Sequence, residues 1–180
     1  MSNRQLTDGK TIKDAVESAK QLKEAQKCAD HGYGYAAMLT TFSVISAIAE
    51  SADNRTSAEL QIEYFFQKMP SSKDWLVSKQ ALTDALTVTL LKDIRNALVH
   101  ALSLPSSTLK VQLLPPQGTF DRNNYDVAIF PHRFVRSVIS ALKNIEPTTM
   151  VQPFDVSRAG RDITWASASG SGLALYQDLD

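Results

Sequence analysis

The sequence predicts an all-α protein: a helical bundle of four to five helices that carries a small β-hairpin or extended insert and an irregular C-terminal tail. Three observations lead there. Apolar residues recur at helical spacing through most of the chain up to Ile145, Gly and Pro fall between those runs, and only two short stretches beyond Pro105 have the β-branched, turn-bounded texture of strands. A chain of 180 residues is long enough to bury a core without staples. Positions 1–180 are therefore expected to form a single domain, with the helical core at about 10–145 and the tail at 146–180.

The first helix is expected over Thr11 to Ala29. Thr11 would cap it, Asp14 favours its first turn, and Ile12, Ala15, Val16, Ala19, Leu22 and Ala29 share a face. "DHGYGY" ends it, because Gly32 and Gly34 adopt backbone conformations that other residues resist. A second helix at about 35–51 carries the stripe Met38, Phe42, Ile45, Ala49 and Ala52, widened by Leu39, Val44 and Ile48, a breadth that places it at the centre of the fold. After the polar "ESADNRTS", Ser57 starts a third helix that runs to about Lys68 and is closed by Pro70.

From Ser71 or Ser72, "KDWLVSKQALTDALTVTLLKDIRNALVHAL" reads as one long helix, or as two joined near Thr83, that must stop before Pro105. "LKVQLLPP" and "YDVAIFP", separated by the turn-rich "QGTFDRNN", suit a small hairpin or an extended excursion. Pro131 then opens the last helix, "HRFVRSVISALKNI", with Phe134, Val135, Val138, Ile139, Leu142 and Ile145 at helical spacing. Pro147, Pro153 and "SASGSG" mark the tail as loops.

Composition narrows the function classes. Apolar content of 43% with 21% charged residues is ordinary for a globular domain. Nineteen basic residues balance nineteen acidic ones, so any polyanion site must be local rather than a broad basic surface. Cys28 is the only cysteine, which excludes an intrachain disulfide framework and a thiolate zinc cluster; it reads as a small apolar filler. "MSNRQLTDGKTIKDAV" lacks a secretory pattern, and "YAAMLTTFSVISAIAE" is too short and too often interrupted by Thr and Ser for a bilayer span. The expectation is a soluble, cytoplasmic protein with no membrane partner.

The chemistry gathers on "LKDIRNALVHAL", Leu91 to Leu102. On a wheel advancing about 100° per residue, Leu90, Leu91, Ile94, Ala97, Leu98, Ala101 and Leu102 fill the core arc. The other arc holds Arg95, Val99, Lys92, Asn96, Thr89, His100 and Asp93. Within it, Thr89, Asp93, Asn96 and His100 form a stripe about 60° wide, while Arg95 stands at the border, about 140° from His100. Arg95 must fold across Val99 or Asn96 to approach the imidazole of its own chain; docking a second identical helix here instead sets one chain's arginine beside the other's histidine. The face therefore points to a homodimer formed through this helix.

These residue types suit phosphate chemistry. A guanidinium presents a planar fork that holds phosphate oxygens and stabilises the charge of a pentacoordinate transition state. An imidazole titrates near neutrality and moves the proton of a ribose 2′-hydroxyl or of the leaving oxygen. Asn96 orients, and Asp93, seven residues before His100, is a supporting group for its tautomer. Glu50, at the end of the second helix, is a second supporting candidate, as a partner of Arg95 across the bundle. No His pairs or clustered carboxylates stand at ligand spacing, so neither a metal nor another cofactor is expected.

"RNALVH" resembles the motif of HEPN domains, an arginine followed by a polar residue and, four to six positions on, a histidine. Its setting is also similar: an N-terminal helix, an apolar second helix ending in an acidic residue ("AIAESAD"), and the motif near the end of the last long helix. The likeness covers roughly residues 10–102. It implies an all-α bundle dimerising through the motif-bearing helices and, in many members, metal-independent endoribonuclease activity in toxins, phage-defence effectors or RNA-processing enzymes. Arg95 and His100 match the catalytic pair and Asn96 the polar position. RNA is then the expected partner, with an antitoxin or other regulatory protein beside it. The alternative from the same likeness is a non-catalytic nucleotide-binding or protein-interaction scaffold.

A second phosphate-facing group is "PHRFVR", where His132, Arg133 and Arg136 gather at a helix start and are candidates for RNA contact. His31 sits in a helix-ending turn and reads as structural, as do the scattered Trp75 and Trp165; Arg158 and Arg161 in the tail are weaker RNA candidates.

Overall fold

The computed structural model describes residues 10–53, 57–101 and 109–144. Five helices, α1 (Lys10–Asp30), α2 (Gly34–Asp53), α3 (Ala58–Phe66), α4 (Asp84–Ala101) and α5 (Pro131–Lys143), are joined by three short strands, β1 (Leu76–Ser78), β2 (Val111–Leu113) and β3 (Val127–Ile129). The tail expected at 146–180, with Arg158, Arg161 and Trp165, lies outside the described residues.

α2 is the central helix, packed against α1, α3, α4 and α5. Its stripe explains why: Met38, Phe42, Ile45 and Ala49 are all but fully buried, and Val44 and Ile48 extend the burial around the helix. α1 begins by Lys10, so Thr11 lies inside the helix rather than capping it. At its other end the chain turns on Gly32 at φ +85°, with Tyr33 N–H donating to the Cys28 carbonyl (2.8 Å) and Gly32 N–H to Ala29 (3.1 Å). These two hydrogen bonds satisfy carbonyls which the helix leaves open. His31 closes the same turn through its Nδ1, 2.8 Å from the Lys27 carbonyl. Gly34 has a different role from the one its sequence position suggests: a Cβ there would meet Pro131 Cγ at 3.0 Å, so the glycine lets α2 approach the start of α5. Cys28 is half-buried and packs against the core.

α3 starts as its sequence implies, with the Ser57 hydroxyl accepting from Leu60 N–H at 3.2 Å. Residues 71–83 are the largest departure from expectation, being non-helical and containing β1. α4 begins only at Asp84, where the Thr83 hydroxyl accepts from Leu86 N–H (3.3 Å) and its carbonyl from Thr87 N–H (2.9 Å). A cap of this kind contributes about 1 kcal/mol, enough to fix the start of the helix once the preceding segment is held elsewhere.

β1 is held elsewhere by β3. The sheet order is β1-β3-β2, with Leu76, Val77 and Ser78 antiparallel to Ile129, Ala128 and Val127. β2 and β3 do not form a hairpin: Val111, Gln112 and Leu113 run parallel to Val127, Ala128 and Ile129. The turn-rich segment between them is therefore a crossing loop. Asp121 organises it, its carboxylate accepting from Asn123 N–H (3.0 Å), Asn124 N–H (3.3 Å) and the Asn124 side chain (2.7 Å). Asp126 binds the loop to the sheet by accepting from Lys110 N–H at 3.0 Å and from Lys79 at 3.3 Å, interactions that lower its pKa.

Trp75 joins sheet to bundle. It is fully buried, meets Phe134 edge-on at 5.0 Å, and its carbonyl accepts from Phe130 N–H at 2.9 Å. Phe134 in turn meets Phe42 at 5.7 Å, so one aromatic line connects the β1 edge, α5 and α2. Among the described residues, no helix is long and apolar enough to cross a membrane.

Candidate functional site

α4 packs against α2 and α3, and its core ridge of Leu90, Leu91, Ile94 and Leu98 is buried as its sequence requires. The opposite side faces outward. Thr89, Val99 and His100 are exposed there, with Lys92, Asp93, Arg95 and Asn96 half-buried among them. At its N-terminal half this band is tied to α3 by Lys92, 3.1 Å from the Glu59 carboxylate, and to the α3–β1 loop by Lys73, 2.6 Å from Asp84.

The Arg95 guanidinium folds towards the histidine side of the helix: Nη1 donates to Asn96 Oδ1 at 3.0 Å. Asn96 and His100 are one turn apart on the same ridge, so a single protomer lines up a cation, an amide and an imidazole along its solvent-facing surface. The hydrogen bond also settles the amide, since Asn96 accepts through oxygen and its NH2 group is left to donate. His100 lies in the last turn of α4 and has no hydrogen-bond partner among the described residues.

Of the two supporting candidates, Asp93 shares the stripe of Asn96 and His100, and Glu50 stands apart from it. Asp93 makes no hydrogen bond to His100, from which seven residues separate it by about 10 Å along the helix. Glu50 is exposed at the end of α2 and forms no ion pair with Arg95, whose guanidinium has turned to Asn96 instead. One chain therefore places Arg95, Asn96 and His100 on one band of α4, with Asp93 on the same stripe but not bonded to His100, and leaves Glu50 outside it.

The group at the start of α5 divides. His132 is buried at 7% exposure, lies edge-on to Phe130 at 5.9 Å, and has an unpartnered Nδ1, so it is a core histidine rather than a third surface cation. Burial, with Arg133 and Arg136 nearby, holds its pKa below the ordinary 6.5, while Asp30 and Asp74 pull weakly the other way. In the unfolded chain the ring protonates first as pH falls. Its contribution to stability is thus held above about pH 6.5 and lost as pH drops towards the folded value. Denaturation midpoints measured across that range should fall on acidification in the wild type and fall less steeply in His132→Leu. Arg133 and Arg136 do reach the surface, on the edge of a small cleft.

A larger hollow, of about 530 Å³, escapes sequence reasoning because its walls come from α3, the α3–β1 loop and the first turns of α4. Glu59, Glu63 and Asp84 rim it over a floor that includes Phe66 and Val88, and its cation, Lys73, is already paired with Asp84. Its acidic rim disfavours phosphate. Among the described residues, no three His, Cys, Asp or Glu side chains gather as metal ligands.

Comparisons with protein-family models, with curated proteins and with solved structures give no match for this chain.

Proposed function

We propose that the outward band of α4 is one half of a metal-independent endoribonuclease site, which a second copy of the chain completes. The observation that carries this reading is the exposure of His100 and of the apolar Val99 beside Arg95 and Asn96, whose side chains are joined by a hydrogen bond on the same outward band of α4. Arg95 holds the scissile phosphate and offsets its growing negative charge, Asn96 donates to a phosphate oxygen, and His100 moves the proton. The ribose 2′-hydroxyl is the nucleophile; its oxygen bonds to phosphorus as the bond to the next 5′-oxygen breaks, leaving a cyclic phosphate and a 5′-hydroxyl end.

Two features support a second copy. Val99, an apolar residue 47% exposed, sits within the polar band beside Arg95, where a two-fold helix contact would cover it. Among the described residues nothing orients the His100 ring, a task that a partner's groups would perform. The likeness of "RNALVH" to the HEPN motif fits the same reading and would make the protein toxin-like or defence-related, with a neutralising partner. The competing reading, a nucleotide-binding or docking scaffold, draws on the same unanchored histidine. Incubation with single-stranded RNA in the presence of EDTA separates them. Cleavage with cyclic-phosphate ends, and none of a DNA of the same sequence, is the expected result; intact RNA would leave the scaffold.

A further inference from the structure

Arg133, Arg136, Ser137 and Ser140 stand at positions i, i+3, i+4 and i+7 of α5, one ridge of the helix. Across a cleft of about 250 Å³ they face Pro70, Ser72 and Asp74 of the α3–β1 loop. The cleft has room for a tetrahedral oxyanion.

Ser137 distinguishes this cleft from an ordinary arginine-bearing surface. The residue is only 5% exposed, it lines the cleft, and no described residue hydrogen-bonds its hydroxyl. Its hydroxyl is not among the buried atoms left without a partner, so it is open to the solvent of the cleft rather than sealed beneath it. The arginines above it are only partly engaged. Arg133 gives Nη1 to the Asp74 carbonyl at 3.1 Å and lies over the Phe130 ring at 4.6 Å, which fixes its plane. Arg136 reaches Asp30 at 3.9 Å, too far for a good hydrogen bond. Asp74 lines the cleft and Asp30 faces Arg136, so an anion is held here by the directed donors of the two guanidinium groups rather than by net positive charge.

We propose that this cleft binds a phosphate group, with Arg133 and Arg136 donating to its oxygens and Ser137 donating from the floor. Buried His132 takes no part. The inference stands apart from the α4 site, since it requires neither cleavage nor a second copy.

The test is an NMR titration of the full chain, as the His100→Ala protein so that no RNA is consumed, with inorganic phosphate as the probe. Saturable shifts confined to the amides of 133–140 and 72–74 are expected. Arg136→Gln, at an exposed position, should weaken binding about tenfold, and Ser137→Ala, which only removes an oxygen, about threefold to tenfold. Neither change disturbs the core, so the remaining spectrum reports an intact fold. AMP and a 5′-phosphorylated oligoribonucleotide then distinguish the source: tighter binding of the oligonucleotide assigns the end of an RNA chain, and equal binding a free nucleotide. Absence of saturable shifts with phosphate, or unchanged affinity in both variants, would overturn the proposal.

Discussion

Replacing His100 with alanine should lower RNA cleavage by about 10²–10⁴-fold while leaving the far-UV circular dichroism and the thermal midpoint unchanged. The two halves of that expectation rest on separate facts. His100 is exposed in the last turn of α4 with no hydrogen bond among the described residues, so its loss removes no packing. The proposed mechanism leaves no other group at the site to move the proton. Arg95→Ala should cost about 10²–10³-fold, the scale for removing a donor aimed at developing charge. Arg95→Lys should not restore it, because an ammonium has no planar fork to span Asn96 Oδ1 and a phosphate oxygen together. Wild-type rates in His100→Ala, measured with labelled RNA under single-turnover conditions, would remove this residue from the chemistry.

Trp75→Ala should be the most damaging single change to stability, at about 3–5 kcal/mol in urea denaturation, a large share of what a domain of this size possesses. The indole is fully buried and packs on Phe134, which in turn packs on Phe42. Its removal opens a cavity where β1, α5 and α2 meet, and also strips a wall from the hollow beside α3. Trp75→Phe retains the ring contact and should lose far less. A loss near 1 kcal/mol for the alanine variant would mean that the junction of sheet and bundle carries little of the stability.

The helices were largely legible because their information is local. α2 shows its stripe, α3 its Ser57 cap, and α5 its Pro131 opening followed by an apolar ridge, and each forms about where those signals lie. Residues 71–83 carry no local strand signal, because β1 is three residues long and depends on β3, some fifty positions away. "DWLVS" offers no period of its own, while Thr83-Asp84 does carry a helix-start signal. The parallel pairing of β2 and β3 was hidden for a related reason. A turn-rich spacer suggests a hairpin, and nothing local to either strand announces that β2 takes the edge of β3 away from β1 and runs parallel to it.

The α4 face follows from helical spacing alone, since Asn96 and His100 must share a ridge. What spacing left open was the direction of a long side chain, and the Asn96 hydrogen bond supplies it. His132 shows the opposite limit. Three cations in "PHRFVR" look equivalent in sequence, but the position directly after Pro131 turns inward beneath Phe130, and the ring loses its solvent. The cleft that Arg133 and Arg136 share with the α3–β1 loop depends on that loop's non-helical path, which no local pattern announced.

The shared-site claim is tested most directly by mixing the Arg95→Ala and His100→Ala proteins, each inactive alone, as co-expressed or refolded dimers. If one chain's arginine works beside the other's histidine, every mixed dimer regains one intact site, and random pairing should restore about a quarter of wild-type cleavage. Activity no greater than that of either variant alone, in a sample shown to contain mixed dimers, would contradict the account.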